Sequence, residues 1–290
     1  MTRSTILSGV LLALLTCSGC ASMAGTATPA APASTLDRIK ASKTVTFGYR
    51  QSSAPFSFVG PDGKAIGYSI DLCNRVAADL RRDLQLPDLG VKWVPVTVEN
   101  RVRALRDGTI DLECGSTTNT LARQVEVDFS LTTWVTGGSL LALRDLTLGD
   151  FRNLRIAVIP GTTTERILKD ALARAGDVQW IAVKDHGEGR AALETRAADA
   201  YASDREILIG LVLTAADPTR FAIADRYFSY EPYGLMLRRG DPDFRLAVDR
   251  SLARLYRSGD VLQIYKRWFG PLGGPDALML ATYAISGLPE

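Results

Sequence analysis

Residues 112–124, LECGSTTNTLARQ, end an apolar run and then place Ser116, Thr117, Thr118, Asn119 and Thr120 ahead of one cation, Arg123. Hydroxyls and free backbone N–H groups at a helix start attract an anion. A guanidinium within the next turn adds a bidentate fork suited to a carboxylate. The stretch therefore reads as a carboxylate-binding corner, although a capped helix with a solvated arginine accounts for the same residues. Two other clusters invite chemistry. Cys114-Gly115-Ser116 with His186, the only histidine, would supply a thiol nucleophile and a base, but no activating constellation accompanies them. Gly187-Glu188-Gly189-Arg190-Ala191-Ala192 imitates the dinucleotide fingerprint G-x-G-x-x-A, with an acid farther on at Asp204. That match is weak, because Lys184 and Asp185 interrupt the join from strand to glycine.

The elements that must position these residues follow an alternating pattern. Strand signals cover 45–49, 91–96 and 110–114, helical spacing covers 69–82 and 99–106, and 56–68 reads as a hairpin around Pro61-Asp62-Gly63-Lys64. A second series begins near Arg155: strand 155–160, helix 163–175, strand 178–183, helix 190–196, strand 198–203, a helix after Asp204, and strand 221–225. Such βαβα order predicts an α/β fold of two similar layered units. Segments 135–143 and 233–239 are extended and apolar and sit where one series stops and the other resumes, so they are expected as paired crossings between two lobes. Helix 243–257 and the segment DVLQIYKRWFG would return to the first lobe. The expected division is 36–138 with 235–290 for lobe 1 and 139–234 for lobe 2, with hinge strands near 137–143 and 230–238. Ligands of open α/β sheets sit outside the carboxyl ends of strands, which places the expected site in the cleft.

Composition narrows the function classes. The chain has 290 residues, 46% of them hydrophobic, and a formal charge of only +2, so no long-range field advertises a nucleic acid. Four cysteines and one histidine are too few and too scattered for a zinc cluster, and no metal is assigned. Residues 1–20, MTRSTILSGVLLALLTCSGC, carry one cation, an apolar run and small residues, the pattern of a secretory signal peptide. Cys17-Ser18-Gly19-Cys20 is similar to a bacterial lipobox, in which the last cysteine is acylated, except that Cys17 stands where leucine is usual. Cleavage at Ser22-Met23-Ala24 or Ala31-Pro32-Ala33 is the alternative to a lipid anchor at Cys20. Residues 21–35 read as a flexible tether of roughly 20 Å. No later segment reaches membrane-spanning length, so the remainder is expected to be exported. Export would favour a Cys73 to Cys114 bridge, while two buried thiols remain an equal alternative.

The motifs GYRQSSAPFSF (48–58), GYSIDLC (67–73), ENRVRALRDGTIDLECGSTTNTLARQ (99–124), PGTTTE (160–165), KDHG (184–187) and YGLMLRRGD (233–241) occur in this order. Together they resemble the periplasmic solute-binding proteins of polar amino-acid ABC transporters, solute-binding protein family 3, and most closely its glutamate- and aspartate-binding members. The resemblance spans about residues 36–272. It implies the type II two-lobe periplasmic-binding-protein fold, an acidic amino-acid ligand, no cofactor, no catalysis, a monomer, and a membrane permease of an ABC transporter as partner.

Carried over by position, it implies that Ser116, Thr118 and Arg123 hold the ligand α-carboxylate and that Asp204 accepts from the α-ammonium. Arg50, Arg101 and His186 would meet the ligand side-chain carboxylate, with Thr162 and Thr163 as donors from the second lobe. Val98 departs from the pattern, since a serine usually stands there. Three arginines facing one aspartate leave about two surplus positive charges, which a second carboxylate on the ligand would complement. Each residue also has a plainer reading: Arg50 and Arg101 as solvated cations, His186 in a polar loop, Asp204 as a helix cap, Phe56 and Phe58 as hairpin core. Two alternatives in other functional classes are a cyclohexadienyl dehydratase-like enzyme on the same scaffold and a component that presents ligand to a sensor.

Overall fold

A computed structural model describes residues 34–146, 153–173 and 177–290. Two five-stranded sheets carry the chain. The first has the order Gly90–Pro95, Thr44–Tyr49, Leu112–Cys114, Met236–Arg238, Val127–Phe129. The second has the order Gln179–Ala182, Arg155–Val158, Ala200–Asp204, Gly138–Leu143, Phe221–Ile223. In each sheet the first three strands run parallel, and the fourth strand opposes both of its neighbours. That fourth strand directly follows a crossing. Trp134–Thr136 and Glu231–Tyr233 pair antiparallel with each other, and the chain then enters Gly138–Leu143 in the second sheet and Met236–Arg238 in the first. The extended segments expected as crossings along their whole length thus each divide into a short crossing strand and a sheet strand.

Burial explains the strand sequences. Leu112–Cys114, Gly138–Leu143 and Ala200–Asp204 are buried at every position, so they read as continuous runs of small and apolar residues rather than alternating ones. The helix Tyr68–Asp83 buries Tyr68, Ile70, Leu72, Cys73, Val76, Ala77 and Leu80 and turns its arginines outward. The helix Pro242–Ser258 begins where Asp241 accepts the Phe244 N–H with proline at the first position, and ends at Gly259 with φ 77°.

The crossing strands are anchored in aromatic packing. The Trp134 ring stacks on Phe269 with centroids 4.2 Å apart and meets Phe56 and Tyr68 edge-on at 5.3 Å. Phe56 also meets Tyr233 of the other crossing strand, so it is core, and Phe58 packs on Trp268. Full burial of one such ring contributes about 1.5–3 kcal/mol, and truncating Phe56 to alanine would cost about 3–5 kcal/mol.

A disulfide joins Cys73 to Cys114 and ties the helix Tyr68–Asp83 to the end of the strand that precedes the Ser116 loop. Closing a loop of this size stabilises by about 2–4 kcal/mol. Oxidised, Cys114 is no nucleophile. The glycine fingerprint at 187–192 lies within the helix His186–Glu194, where a Cβ on Gly189 would sit 2.4 Å from the Tyr201 ring. Close packing of helix on strand accounts for that glycine.

The expected signal peptide, Cys20 and residues 21–33 of the expected tether lie outside the described residues. Ser34 and Thr35, the last two positions of the expected tether, cap and open the helix Thr35–Ser42. Beyond residue 272, the helix Ala277–Ser286 buries Met279 and Tyr283, and the Tyr283 hydroxyl lies 2.9 Å from that of Tyr68. Among the described residues no helix is long and apolar enough to cross a membrane.

Candidate functional site

The carboxyl ends of the parallel strands of both sheets converge on one small cavity of about 30 Å³. Arg50, Arg101, Ser116, Thr118, Arg123, Thr162, Thr163, His186 and Asp204 all line it, together with Val98, Ile159, Thr164, Tyr201, Ala202, Ser203 and Ile207. Loops from the two sides meet around it. Thr118 Oγ1 lies 3.2 Å from Thr163 Oγ1, Arg123 Nη2 donates to the Gly161 carbonyl at 3.4 Å, and the His186 N–H donates to Ser52 Oγ at 3.4 Å.

The first sheet supplies the cations. Arg50 follows Thr44–Tyr49 directly and is 4% exposed, its backbone N–H held by Ser57 Oγ at 2.9 Å. Its guanidinium has no hydrogen-bond acceptor among the described residues, and burial, then repulsion from Arg101, lowers its pKa to about 10. Arg101 opens the helix Arg101–Arg106 and donates from Nη1 to Thr117 Oγ1 at 2.5 Å. Thr117 in turn donates to Glu113 Oε2 at 2.8 Å. Burial lowers the Arg101 pKa as well. Arg123 donates from Nη1 to the Thr118 carbonyl at 2.8 Å, and burial followed by Arg101 brings it to about 10. The helix that was to offer free N–H groups, Leu121–Gln124, is a single turn whose Arg123 N–H is taken by the Thr120 hydroxyl. The anion-binding capacity of this corner therefore resides in the guanidiniums.

The second sheet supplies hydroxyls, one neutral imidazole and one acid. His186 is the first residue of a helix capped by Asp185, not part of a loop. Its Nδ1 lies 2.6 Å from the Tyr201 hydroxyl, and burial, with Arg50 and Arg101 nearby, pushes its pKa down to about 3. Burial holds the Tyr201 phenol protonated, and a phenol can donate to Nδ1 or accept from it; the tautomer in which it donates leaves the imidazole proton on Nε2. Asp204 sits at the end of its strand, before the helix Arg205–Leu213, but makes no side-chain cap. Its Oδ1 accepts from Thr164 Oγ1 at 3.0 Å and its Oδ2 from the Tyr233 hydroxyl. Burial and the neighbouring Glu231 raise its pKa to about 7. Thr162 lines the cavity with its hydroxyl committed, donating to the Ile159 carbonyl at 2.8 Å and accepting from the Glu165 N–H at 3.1 Å. What this corner offers besides the Thr163 hydroxyl is the first turn of the helix Thr163–Leu172, whose opening N–H groups have no intrahelical acceptor.

The count of two surplus positive charges needs correction. Glu113 and Glu231 are both completely buried, and both act on the arginines electrostatically. Buried guanidiniums require such partners, because an unpaired charge away from water is costly. A Cβ on Gly115 would lie 2.1 Å from Glu113 Oε1, so glycine there makes room for the acid. Sequence reasoning missed both glutamates. The available signal was an acid set against apolar residues: Glu113 with Asp111 in IDLEC, and Glu231 at the head of EPYGLML.

The arrangement provides guanidiniums and an imidazole N–H for anions, with one carboxylate and several hydroxyls for a cation. Residues 45–271 match the family model described as bacterial extracellular solute-binding proteins, family 3. An L-glutamate/L-aspartate-binding protein of Pseudomonas aeruginosa is 39% identical over 240 residues, 81% of this chain and 80% of its own length. A glutamate/aspartate import solute-binding protein of Escherichia coli is 38% identical over 263 residues, 89% of this chain and 86% of its own. Among solved structures, a cysteine-binding protein from Campylobacter jejuni shares the fold, with TM-score 0.75, 22% identity, and coverage of 84% of this chain and 96% of that one. An ancestral amino acid-binding protein, a precursor of cyclohexadienyl dehydratase, has TM-score 0.71 at 26% identity and covers 82% of this chain and all of its own, 100%. With the motifs in order, the strand plan repeated and the cavity between the halves, the chain belongs to the bacterial extracellular solute-binding proteins of family 3.

Proposed function

We propose that this protein is the extracytoplasmic binding component of an ABC amino-acid import system and that it takes L-glutamate and L-aspartate. Arg50 carries the reading: a buried guanidinium without a hydrogen-bond acceptor among the described residues, lining the cavity beside Arg101 and His186. A ligand side-chain carboxylate completes its hydrogen bonding, whereas glutamine would leave it poorly paired. Truncating one partner of such a buried charge pair costs about 2–5 kcal/mol. Arg123 with the Ser116 loop receives the α-carboxylate, and Asp204 faces the α-ammonium. The names of the two relatives identical at 38–39% point to the same ligand class. They are names of binding proteins and give no support to the dehydratase alternative.

Lobe 1 is read as 36–138 with 235–290, and lobe 2 as 139–234. The ligand stabilises the closed arrangement because only there does it touch both sides. Residues 1–20 act as the export signal, Cys20 is the acylated anchor, residues 21–33 are the tether, and the folded part works as a periplasmic monomer that delivers ligand to its permease. Titration calorimetry with the twenty amino acids tests the reading. Glutamate and aspartate should bind at least tens-fold tighter than glutamine or lysine, and equal affinity for glutamine contradicts it.

A further inference from the structure

Glu231 is fully buried on the crossing strand Glu231–Tyr233. Its Oε2 accepts from Thr118 Oγ1 and from Thr163 Oγ1, each at 2.6 Å, and its Oε1 accepts from Ser229 Oγ at 2.6 Å. Three hydroxyls direct their protons at one carboxylate, which offers acceptors only. Thr118 comes from the first side of the cavity and Thr163 from the second. Both line it, while Glu231 stands behind them.

A threonine hydroxyl has one proton and two lone pairs. With each proton directed at Glu231, only lone pairs remain for whatever occupies the cavity. Thr118 and Thr163, 3.2 Å apart, thus form a pair of acceptors. The adjoining Thr164 hydroxyl donates to Asp204, which adds a carboxylate to the same corner. These hydroxyls and the carboxylate suit a cationic N–H group and oppose a carboxylate oxygen, which is left to the opening N–H groups of the helix Thr163–Leu172 and to Arg123.

We propose that Glu231 is a specificity-determining positioning residue: by fixing the direction of two hydroxyl protons, it turns Thr118 and Thr163 into acceptors that select ligands bearing an ammonium group. The proposal deepens the acidic amino-acid reading and rests on it. It also changes the part that the resemblance implies for Thr118, whose hydroxyl cannot donate to an α-carboxylate while it donates to Glu231.

The test compares L-glutamate with glutarate, which lacks only the amino group, by calorimetry on the full chain. In the wild-type protein glutamate should bind more tightly. Glu231→Leu frees both hydroxyl protons and should narrow the glutamate-to-glutarate ratio by about tenfold or more, while Glu231→Gln, whose amide oxygen still accepts, should retain most of it. An unchanged ratio in the leucine variant, even with both affinities reduced together, assigns Glu231 a purely structural role and overturns the proposal. Should the leucine variant not fold, Thr163→Val removes one acceptor directly: a narrowed ratio supports the proposal and an unchanged one overturns it. Failure of the underlying reading looks different, because the wild-type protein would then bind no acidic amino acid at all.

Discussion

On the side of the first sheet the cavity is walled by guanidiniums, each at a different strand or helix end: Arg50, Arg101 and Arg123. Across from them, the second sheet presents Thr163, neutral His186 and Asp204 at the corresponding ends of its own strands and helices. Both sheets have three parallel strands followed by one opposed strand and a fifth. The shared plan decides where loops converge, because crossover connections bring carboxyl ends to one edge. It does not decide what the loops carry. The guanidiniums all come from one side, and under the proposed function that side receives the anionic groups of the ligand. Under the same proposal the second half receives the ammonium.

The largest expected effect comes from emptying the cationic half. Arg123→Ala should weaken L-glutamate by about 100-fold or more, as loss of one partner from a buried charge pair does, and calorimetry reads it directly. Its pH dependence should remain that of the wild-type protein.

Next comes the acid of the other half. In the empty protein, burial and then Glu231 bring Asp204 to about 7. A bound ammonium favours the ionised carboxylate, so binding should release a proton below pH 7. Affinity should rise as pH climbs towards 7 and level off above it. Asp204→Asn should lose about tens-fold in affinity and flatten this profile, with proton release measured by titration in buffers of different ionisation enthalpy. A flat wild-type profile would remove the distinction between the halves.

A smaller change should follow Arg50→Gln. Its main effect is on selectivity, with the preference for glutamate over glutamine falling about tenfold, which competition binding detects. Least of all, Val98→Ser places a hydroxyl at the cavity edge and should alter glutamate affinity by about threefold. Paired titrations of glutamate and aspartate would show which acid benefits.

Much of the fold was legible because its strands are buried on both faces and read as apolar runs, as in 112–114 and 138–143. The hairpin around Pro61-Asp62-Gly63-Lys64 announced itself through turn chemistry, and it forms as Ser57–Val59 against Ala65–Ile66. The arginines of the site were legible only together, through motifs in order, since nothing local tells a cavity arginine from a surface one. Glu231 was not legible, because its partner Thr118 is 113 residues away. Glu113 lies four residues from Thr117, but their bond depends on a loop geometry that spacing does not fix. His186 was misplaced in a loop although Asp185 with Glu188 three residues later is a helix-start signature, which the structure uses. The glycine and charges around it obscured that signature. Pairing of Cys73 with Cys114 needed the third dimension, as it depends on how a helix lies over a strand end.

A crystal structure of the complex with L-glutamate tests the central claim most directly. The expected density places the side-chain carboxylate against Arg50 and Arg101, the α-carboxylate on Arg123, and the ammonium within hydrogen-bond reach of Asp204 and the Thr118 and Thr163 oxygens. A ligand held with its ammonium among the arginines, or a site in which those arginines turn away from it into solvent, would contradict the account.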